Sequence, residues 1–440
     1  QVSEDRLGNL VIKVPGSAGK EAAPAVVLQG HLDMVGEKDS DSPHNFDTDP
    51  IPVKREGDWL RAQGTTLGAD NGVGLAASMA VAEDPEAVHG PLELLFTIDE
   101  ETGLTGAQGL EPGFVSSKTM LNLDSEEEGA VYVGCAGGTD TDMTLPLERS
   151  DADAGPGDVF RVTLAGFRGG HSGLDINAGR GNAVQALAWF LARLRGEADF
   201  GLVEFTGGDK HNAIPREAWA TVALDPAGLT AARALMDGFL EELKTMYGRT
   251  DPGFTLNMEA AQSADMPLTQ ASRDTLLELV LALPHGVLAM SQEVDGLVET
   301  STNLAVLKMD QEAAHLQESS RSSVMPALAH VQQGLFGLAW LAGAEAHSDG
   351  GYPGWQPDMD SPVLGMIKAV HARLFGAEPQ VKAIHAGLEC GIIGEKMGGM
   401  DMISFGPQIE NPHSPSEQVK ISTLGPFYDL LKGLLAELAG

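Results

Sequence analysis

Cysteine is nearly missing from this chain: there are two in 440 residues, Cys135 and Cys390, and neither sits in a CxxC context. That excludes a disulfide framework and a thiolate zinc site, and a reducing, cytoplasmic setting fits best. Basic residues are scarce as well. Lys and Arg number 28 against 63 Asp and Glu, a formal net charge of −35. A field of that sign repels phosphate backbones and anionic bilayers, so neither nucleic acid nor membrane is an expected partner. Long apolar runs are lacking too. The longest, Gly334 to Ala344, is too short to span a bilayer, and the N-terminus carries no basic segment leading into an apolar one. No Gly-Lys-Ser/Thr and no full GxGxxG after a strand occurs, so Gly72 and Gly74 do not mark a phosphate-cradling loop.

What remains is globular composition, 42% hydrophobic and 21% charged, with length for two large domains or three smaller ones. Strand-length apolar runs at Leu10–Val14, Ala25–Gln29, Leu92–Ile98 and Thr119–Leu123, with a helical pattern over Asn71–Ala82, predict an α/β unit with a mostly parallel sheet. From about residue 138 the texture becomes alternating, as in Thr139–Leu147 and Val159–Leu164, followed by the amphipathic stretch Asn182–Arg195. That predicts an α+β domain. The loop-rich stretch 347–355 then precedes a helix over Val363–Phe375 and a strand over Met400–Phe405. Residues 357–440 therefore read as completing the sheet begun by residues 1–137, with residues 138–356 inserted.

Carboxylates and imidazoles gather where those strands end. The run Ala25–Gln29 leads into Gly30-His31-Leu32-Asp33, whose His and Asp share one face of an extended chain. An imidazole holding a metal needs its other nitrogen fixed, and Asp33 is placed to do that. A Gly-rich loop delivers Asp70 just ahead of a helix, where it is also placed to be an N-cap. Leu92–Ile98 ends in Asp99-Glu100-Glu101, which can divide the labour of metal hydrolysis between a ligand and a base, or form an acidic surface loop. Thr119–Leu123 ends in Asp124, and Glu126–Glu128 beyond it read as solvated. A rigid polar loop near the C-terminus holds His413. Two His and several carboxylates without thiolate suit Zn²⁺, Mn²⁺ or Co²⁺, and their number permits two ions bridged by one Asp. In the insertion, His171 and Arg321 read either as a turn cap and an ion-pair partner or as groups for an oxyanion and a substrate carboxylate.

Taken together, LQGHLDMV (28–35), LGADNGVG (67–74), TIDEETG (97–103), LNLDSEE (121–127), GGHSGLDINAGRGNA (169–183), NAIPRE (212–217), HAGLECG (385–391) and SFGPQIENPHSPSE (404–417) resemble the aminoacyl-histidine dipeptidase branch of the di-zinc aminoacylase and carboxypeptidase family. The resemblance covers nearly the whole chain, although that pattern normally carries further residues ahead of Leu28. It implies a catalytic domain interrupted by a lid of about twice the ordinary size, able to hold two related subdomains. It implies two zinc ions bridged by Asp70, one completed by His31 and Asp124, the other by Glu101 and His413. Glu100 would be the general base and Asp33 would orient His31, with a non-proline cis peptide following Asp70. Substrate contacts would fall to His171, Arg321, Asn212 and Glu389, and two copies of the chain would pair through the lid. The implied activity is hydrolysis of the amide bond of dipeptides, Xaa-His types included. An N-acyl amino acid deacylase using the same centre and a non-catalytic peptide-binding relative are the alternatives.

Overall fold

The computed structural model describes residues 1–150, 157–263, 265–348 and 350–440. They form two compact units, one of Gln1–Cys135 with Pro353–Gly440, the other of Ala136–Tyr352.

The discontinuous unit is built on an eight-stranded sheet of β1 (Val2–Glu4), β2 (Leu10–Val14), β3 (Val26–His31), β4 (Leu92–Thr97), β5 (Thr119–Asn122), β6 (Ala130–Cys135), β7 (Gln380–Ile384) and β8 (Asp401–Ser404), in the spatial order β1-β2-β4-β3-β5-β8-β6-β7. The four central strands β4, β3, β5 and β8 are mutually parallel. Every residue of β3 and β4 is buried, as expected of strands covered on both faces. The apolar residues of α1 (Ala69–Glu83), α2 (Pro362–Phe375) and α3 (Ile421–Leu438) share one core with them, including Leu28, Val81, Leu94, Leu121, Ile367 and Leu431. Each such leucine contributes about 2 kcal/mol of apolar burial.

The expected mostly parallel sheet is present, with antiparallel pairs flanking its four central strands. Strand β2 runs antiparallel to β4, and β6 runs antiparallel to β8. The reason lies in the connections. A parallel neighbour needs a crossover of a dozen residues or more, and the short link from Asn122 to Ala130 leaves room only for reversal. The loop-rich stretch after residue 346 is also less open than its sequence suggests. Gly351 and Tyr352 pair with Thr139 and Gly138 in the inserted unit, while Trp355 exchanges two backbone bonds of 2.9 Å with Cys135 in the other. Asp349 of that stretch lies outside the described residues.

The inserted unit carries a second sheet, of ten antiparallel strands among the described residues, in two halves. In the first half, strands Asp158–Ala165, Gly201–Gly207, Glu217–Leu224 and Thr255–Ala260 alternate with helices Ala183–Glu197 and Pro226–Tyr247 as β-α-β-β-α-β, in spatial order 4-1-3-2. The second half uses Gly137–Pro146, Val298–Met309, Ala313–Ser322 and Glu345–His347 with helices Gln270–Ala282 and Met325–Ala342, and has the same order. The insertion thus contains two units of one split β-α-β topology, the first inserted after the opening strand of the second. Their sheets meet at one register pair, Gly207 with Leu307. The amphipathic stretch at 182 starts a helix because the Asn182 side chain accepts from the N–H groups of Val184 and Gln185.

Candidate metal centre

Parallel β4, β3, β5 and β8 all end at one edge of the sheet, where open α/β folds collect their functional groups. His31 is the last residue of β3 and is 1% exposed. Its Nδ1–H donates to the Asp33 carbonyl oxygen at 3.0 Å, with the Asp33 carboxylate farther off at 3.5 Å. The ring is therefore fixed chiefly by a backbone group, which leaves Nε2 free to face the site. Nε2 stands 3.0 Å from Asp70 Oδ1 and 3.3 Å from Asp124 Oδ1.

Asp70 enters from the start of α1 through a cis bond to Asn71. The glycines around it permit close approach. A Cβ on Gly30 would lie 2.1 Å from Asn71 Oδ1, and one on Gly74 would lie 2.5 Å from the same atom. In that space Asn71 Nδ2 donates to the Leu123 carbonyl at 2.8 Å, tying the loop to the end of β5 beside Asp124. The second carboxylate oxygen of Asp70 lies 3.1 Å from His413 Nε2, which is also 3.0 Å from Glu101 Oε2.

Beyond β4, the helical turn Glu100–Gly103 is bounded by Asp99 and Leu104, both in the left-handed region, and Asp99 is held by the Thr102 and Thr105 hydroxyls. Asp33 accepts from the N–H of Glu100 at Oδ1 and from that of Glu101 at Oδ2, each at 3.1 Å. Among the described residues, three groups of side chains have ligand atoms within 4.8 Å of one another: His31 with Asp70 and Asp124, Asp70 with Glu101 and His413, and His31 with Glu100 and Glu101.

The electrostatics show what this edge demands. Burial disfavours charge on His31, yet Asp124, Asp33 and Asp70 together hold its imidazole protonated far above the ordinary range. Asp70 and Glu101 lift His413 to about 10. Burial raises Asp124 well above the usual carboxylate range, and burial with the charges of Glu389, Glu101 and Asp70 pushes Glu100 to about 8. Asp33, although burial opposes it, is drawn down to about 2 by His31 and the two N–H groups. Glu126, expected to be solvated, is instead pushed to about 8 by burial and by Asp70. Glu127 and Glu128 do face outward, toward Lys382 and Lys420. Crowded anions hold positive charge on both imidazoles, and Glu101 Oε1 and Asp124 Oδ1 are buried without a hydrogen-bond partner among the described residues. Nitrogen and oxygen donors about 3 Å apart, with unspent carboxylate oxygens, fit divalent cations of the zinc type.

Glu389 lies beneath this centre. It is 1% exposed, its Oε2 accepts from Gln29 Nε2 (2.6 Å) and Thr97 Oγ1 (2.7 Å), and burial raises it to about 7. Its Oε2 ties the ends of β3 and β4 together, and its Oε1 has no hydrogen-bond partner among the described residues. Sequence reasoning assigned no role to Glu417, which grips the Asp70 loop by its backbone. The polar run around His413 was the only signal for it.

The inserted unit brings His171, Asn212 and Arg321 together around Ser172. The Ser172 N–H donates to the Asn212 carbonyl at 2.9 Å, and its Oγ accepts from Arg321 Nε and Nη2, both at 3.4 Å. His171 Nδ1 accepts from the N–H groups of Gly173 (3.1 Å) and Leu174 (3.0 Å), so the neutral ring carries its proton on Nε2. Burial and the neighbouring Arg321 lower its pKa. Arg321 is 7% exposed and bonds Tyr352 Oη at 2.7 Å, with no carboxylate partner among the described residues.

Parallel central strands ending in imidazoles and carboxylates spaced for divalent ions are the donor arrangement that metal-dependent hydrolases use. Residues 27–437 match the model of peptidase family M20/M25/M40, and the chain belongs to that family of metal-dependent peptidases. It is 43% identical over 437 residues to the cytosol non-specific dipeptidase of Escherichia coli (strain K12), covering 99% of this chain and 90% of that protein. The crystal structure of aminoacylhistidine dipeptidase from Vibrio alginolyticus superposes with a TM-score of 0.92 at 43% identity, covering 99% of this chain and 89% of that one. The aminopeptidase PepT from Bacillus cereus, at 16% identity and a TM-score of 0.55 over all of this chain and 89% of that one, shares the fold.

Proposed function

We propose that this peptidase hydrolyses dipeptides, Xaa-His types included, at a centre of two zinc ions, with Mn²⁺ or Co²⁺ as substitutes. The observation that carries the reading is Asp70, whose two oxygens each face a different imidazole, at 3.0 and 3.1 Å. His31 and Asp124 complete one ligand set, Glu101 and His413 the other. Divalent ions held there would supply Lewis acidity toward the scissile carbonyl and acidify the attacking water. Glu100 takes the proton from that water and returns it to the leaving amine nitrogen, while Asp33 holds Glu100 and Glu101 by their backbone. The inserted unit acts as the lid. There the His171 Nε2–H donates to the developing oxyanion, Arg321 receives the substrate's C-terminal carboxylate, and Asn212 assists. The names of the two relatives at 43% identity support the dipeptide assignment, and that of the Escherichia coli protein supports a cytosolic setting. No described helix is long and apolar enough to cross a membrane.

A homodimer through the lid belongs to the same reading. Helix Met325–Ala342 leaves Trp340 78% and Leu341 75% exposed, an apolar pair that a second copy would cover.

Hydrolysis of free and N-acetylated dipeptides, β-alanyl-histidine among them, on chelated protein with metal added back tests the assignment. Metal-restored cleavage of the free dipeptides is expected. Cleavage of the acetylated substrates alone would convert the reading to a deacylase.

A further inference from the structure

Glu417 is a buried carboxylate that the chemistry above does not use. It is 2% exposed. Its Oε2 accepts from the N–H groups of Leu67 (2.8 Å) and Gly68 (3.1 Å), and its Oε1 from those of Ala69 (2.7 Å) and Asp70 (3.4 Å). Leu67 and Gly68 precede α1 and Ala69 and Asp70 open it, with Asp70 in non-helical backbone geometry and no side-chain cap from Gly68. Four successive backbone donors of a loop without a side-chain acceptor of its own are satisfied by an anion supplied from elsewhere in the chain.

Glu417 stands four residues after His413, in the same turn. Its own N–H donates to the Ser414 carbonyl at 3.0 Å, Ser414 Oγ donates to the Asn411 carbonyl at 2.8 Å, and Asn411 and His413 lie in the left-handed region with φ of 54° and 58°. One carboxylate therefore joins the loop that carries His413 to the loop that carries Asp70. At that junction His413 Nε2 and Asp70 Oδ2 are 3.1 Å apart. The other ligand set shares Asp70 but takes its remaining members from the sheet. His31 ends β3, and Asp124 follows β5, two strands locked in register through Leu28 with Leu121 and Gln29 with Asn122.

We infer that Glu417 is the positioning residue of the Asp70–Glu101–His413 ligand set: by holding the two loops together it sets the affinity of that ion more than that of its neighbour, which shares only Asp70 with it. The inference rests on the two-ion reading above. A glutamine at this position keeps one acceptor oxygen but turns amide hydrogens toward N–H groups, so it is isosteric and repulsive at once. Glu93 supplies the matched control. It is 3% exposed in the same unit and accepts from the N–H groups of Ser116 (2.7 Å) and Ser117 (3.0 Å), near the start of β4 rather than at its ligand-bearing end.

The test uses full-length wild type, Glu417→Gln, Glu417→Asp and Glu93→Gln, stripped of metal. Each is titrated with Zn²⁺ against a fluorescent competing chelator, and amide exchange over residues 67–70 is followed by mass spectrometry in the metal-free state. Wild type should take two ions. Glu417→Gln should bind one ion at least tenfold more weakly, weaken the other by a clearly smaller factor, and exchange faster at 67–70. Glu417→Asp, with the charge retained and the reach shortened, should fall between, and it carries the test if the glutamine variant does not fold. Glu93→Gln should lose thermal stability with both affinities unchanged. Unchanged second-ion affinity, equal loss at both sites, or the same pattern in Glu93→Gln would overturn the inference. A wild-type stoichiometry of one would overturn the two-ion reading instead, and exchange at 67–70 would still report whether Glu417 holds the loop.

Discussion

Asp33 Oδ1 lies 3.1 Å from the backbone nitrogen of Glu100, and its other oxygen lies equally far from that of Glu101. One carboxylate thus sets the position of the proposed base and of a proposed ligand by their main chain, while the carbonyl of the same residue fixes the His31 ring. The arrangement gives Asp33 three dependents and explains why its charge is so strongly favoured despite partial burial.

Asp33→Asn should therefore damage turnover more than metal binding. The amide retains an acceptor for one N–H and opposes the other, so the Glu100–Gly103 turn shifts, carrying Glu100 and the proposed ligand Glu101 with it, while the other four proposed ligands stay in place. A fall in kcat/KM of about 10- to 100-fold is expected, the usual effect of losing a group that orients ligands. Steady-state kinetics on metal-reconstituted protein, with metal content measured in parallel, checks this. Wild-type kcat would show that the turn keeps its place without Asp33.

Glu100→Gln separates base from ligand. It removes no member of either proposed ligand set, so elemental analysis should find wild-type metal content, while kcat should fall by about 10²- to 10⁴-fold. Retained turnover would remove Glu100 from the proton transfer.

Asp70→Ala is the complementary change. Both imidazoles face this one carboxylate, so its loss should release metal from both sets rather than slow a loaded enzyme. Full occupancy in the dialysed variant would refute the bridge.

Much of this was legible in the sequence because chemistry collects at strand ends. His31, Glu100 and Asp124 each follow an apolar run whose burial makes it a strand, so the runs located the edge and the polar residues after them located the centre. Direction was less legible. Nothing in Leu10–Val14 states that it pairs antiparallel with β4, since that follows from the connection and not from the side chains. Glu126 and Glu417 were illegible for a different reason. An acid in a chain with 63 of them looks solvated until its partner is known. The N–H groups that Glu417 holds lie 347 to 350 residues away, beyond any local pattern.

The inserted unit should lose stability as pH rises, and Glu318 is the cause. It is fully buried in strand Ala313–Ser322, its Oε2 accepts from Thr302 Oγ1 at 2.8 Å, and its Oε1 has no partner among the described residues. Burial pushes its carboxyl up to about 8. A folded-state pKa above the unfolded value means that the native state binds the proton more tightly. The associated stability is complete below about pH 4.5 and is lost as pH climbs toward 8, at up to about 1.4 kcal/mol per pH unit. Glu318→Gln keeps the shape and an acceptor for Thr302 but cannot ionise. Its denaturation midpoint should match wild type near pH 5 and exceed it at pH 8, with the gap opening between those values. Parallel pH profiles of the two proteins, by denaturant titration with a probe in the inserted unit, would refute this origin for the alkaline loss.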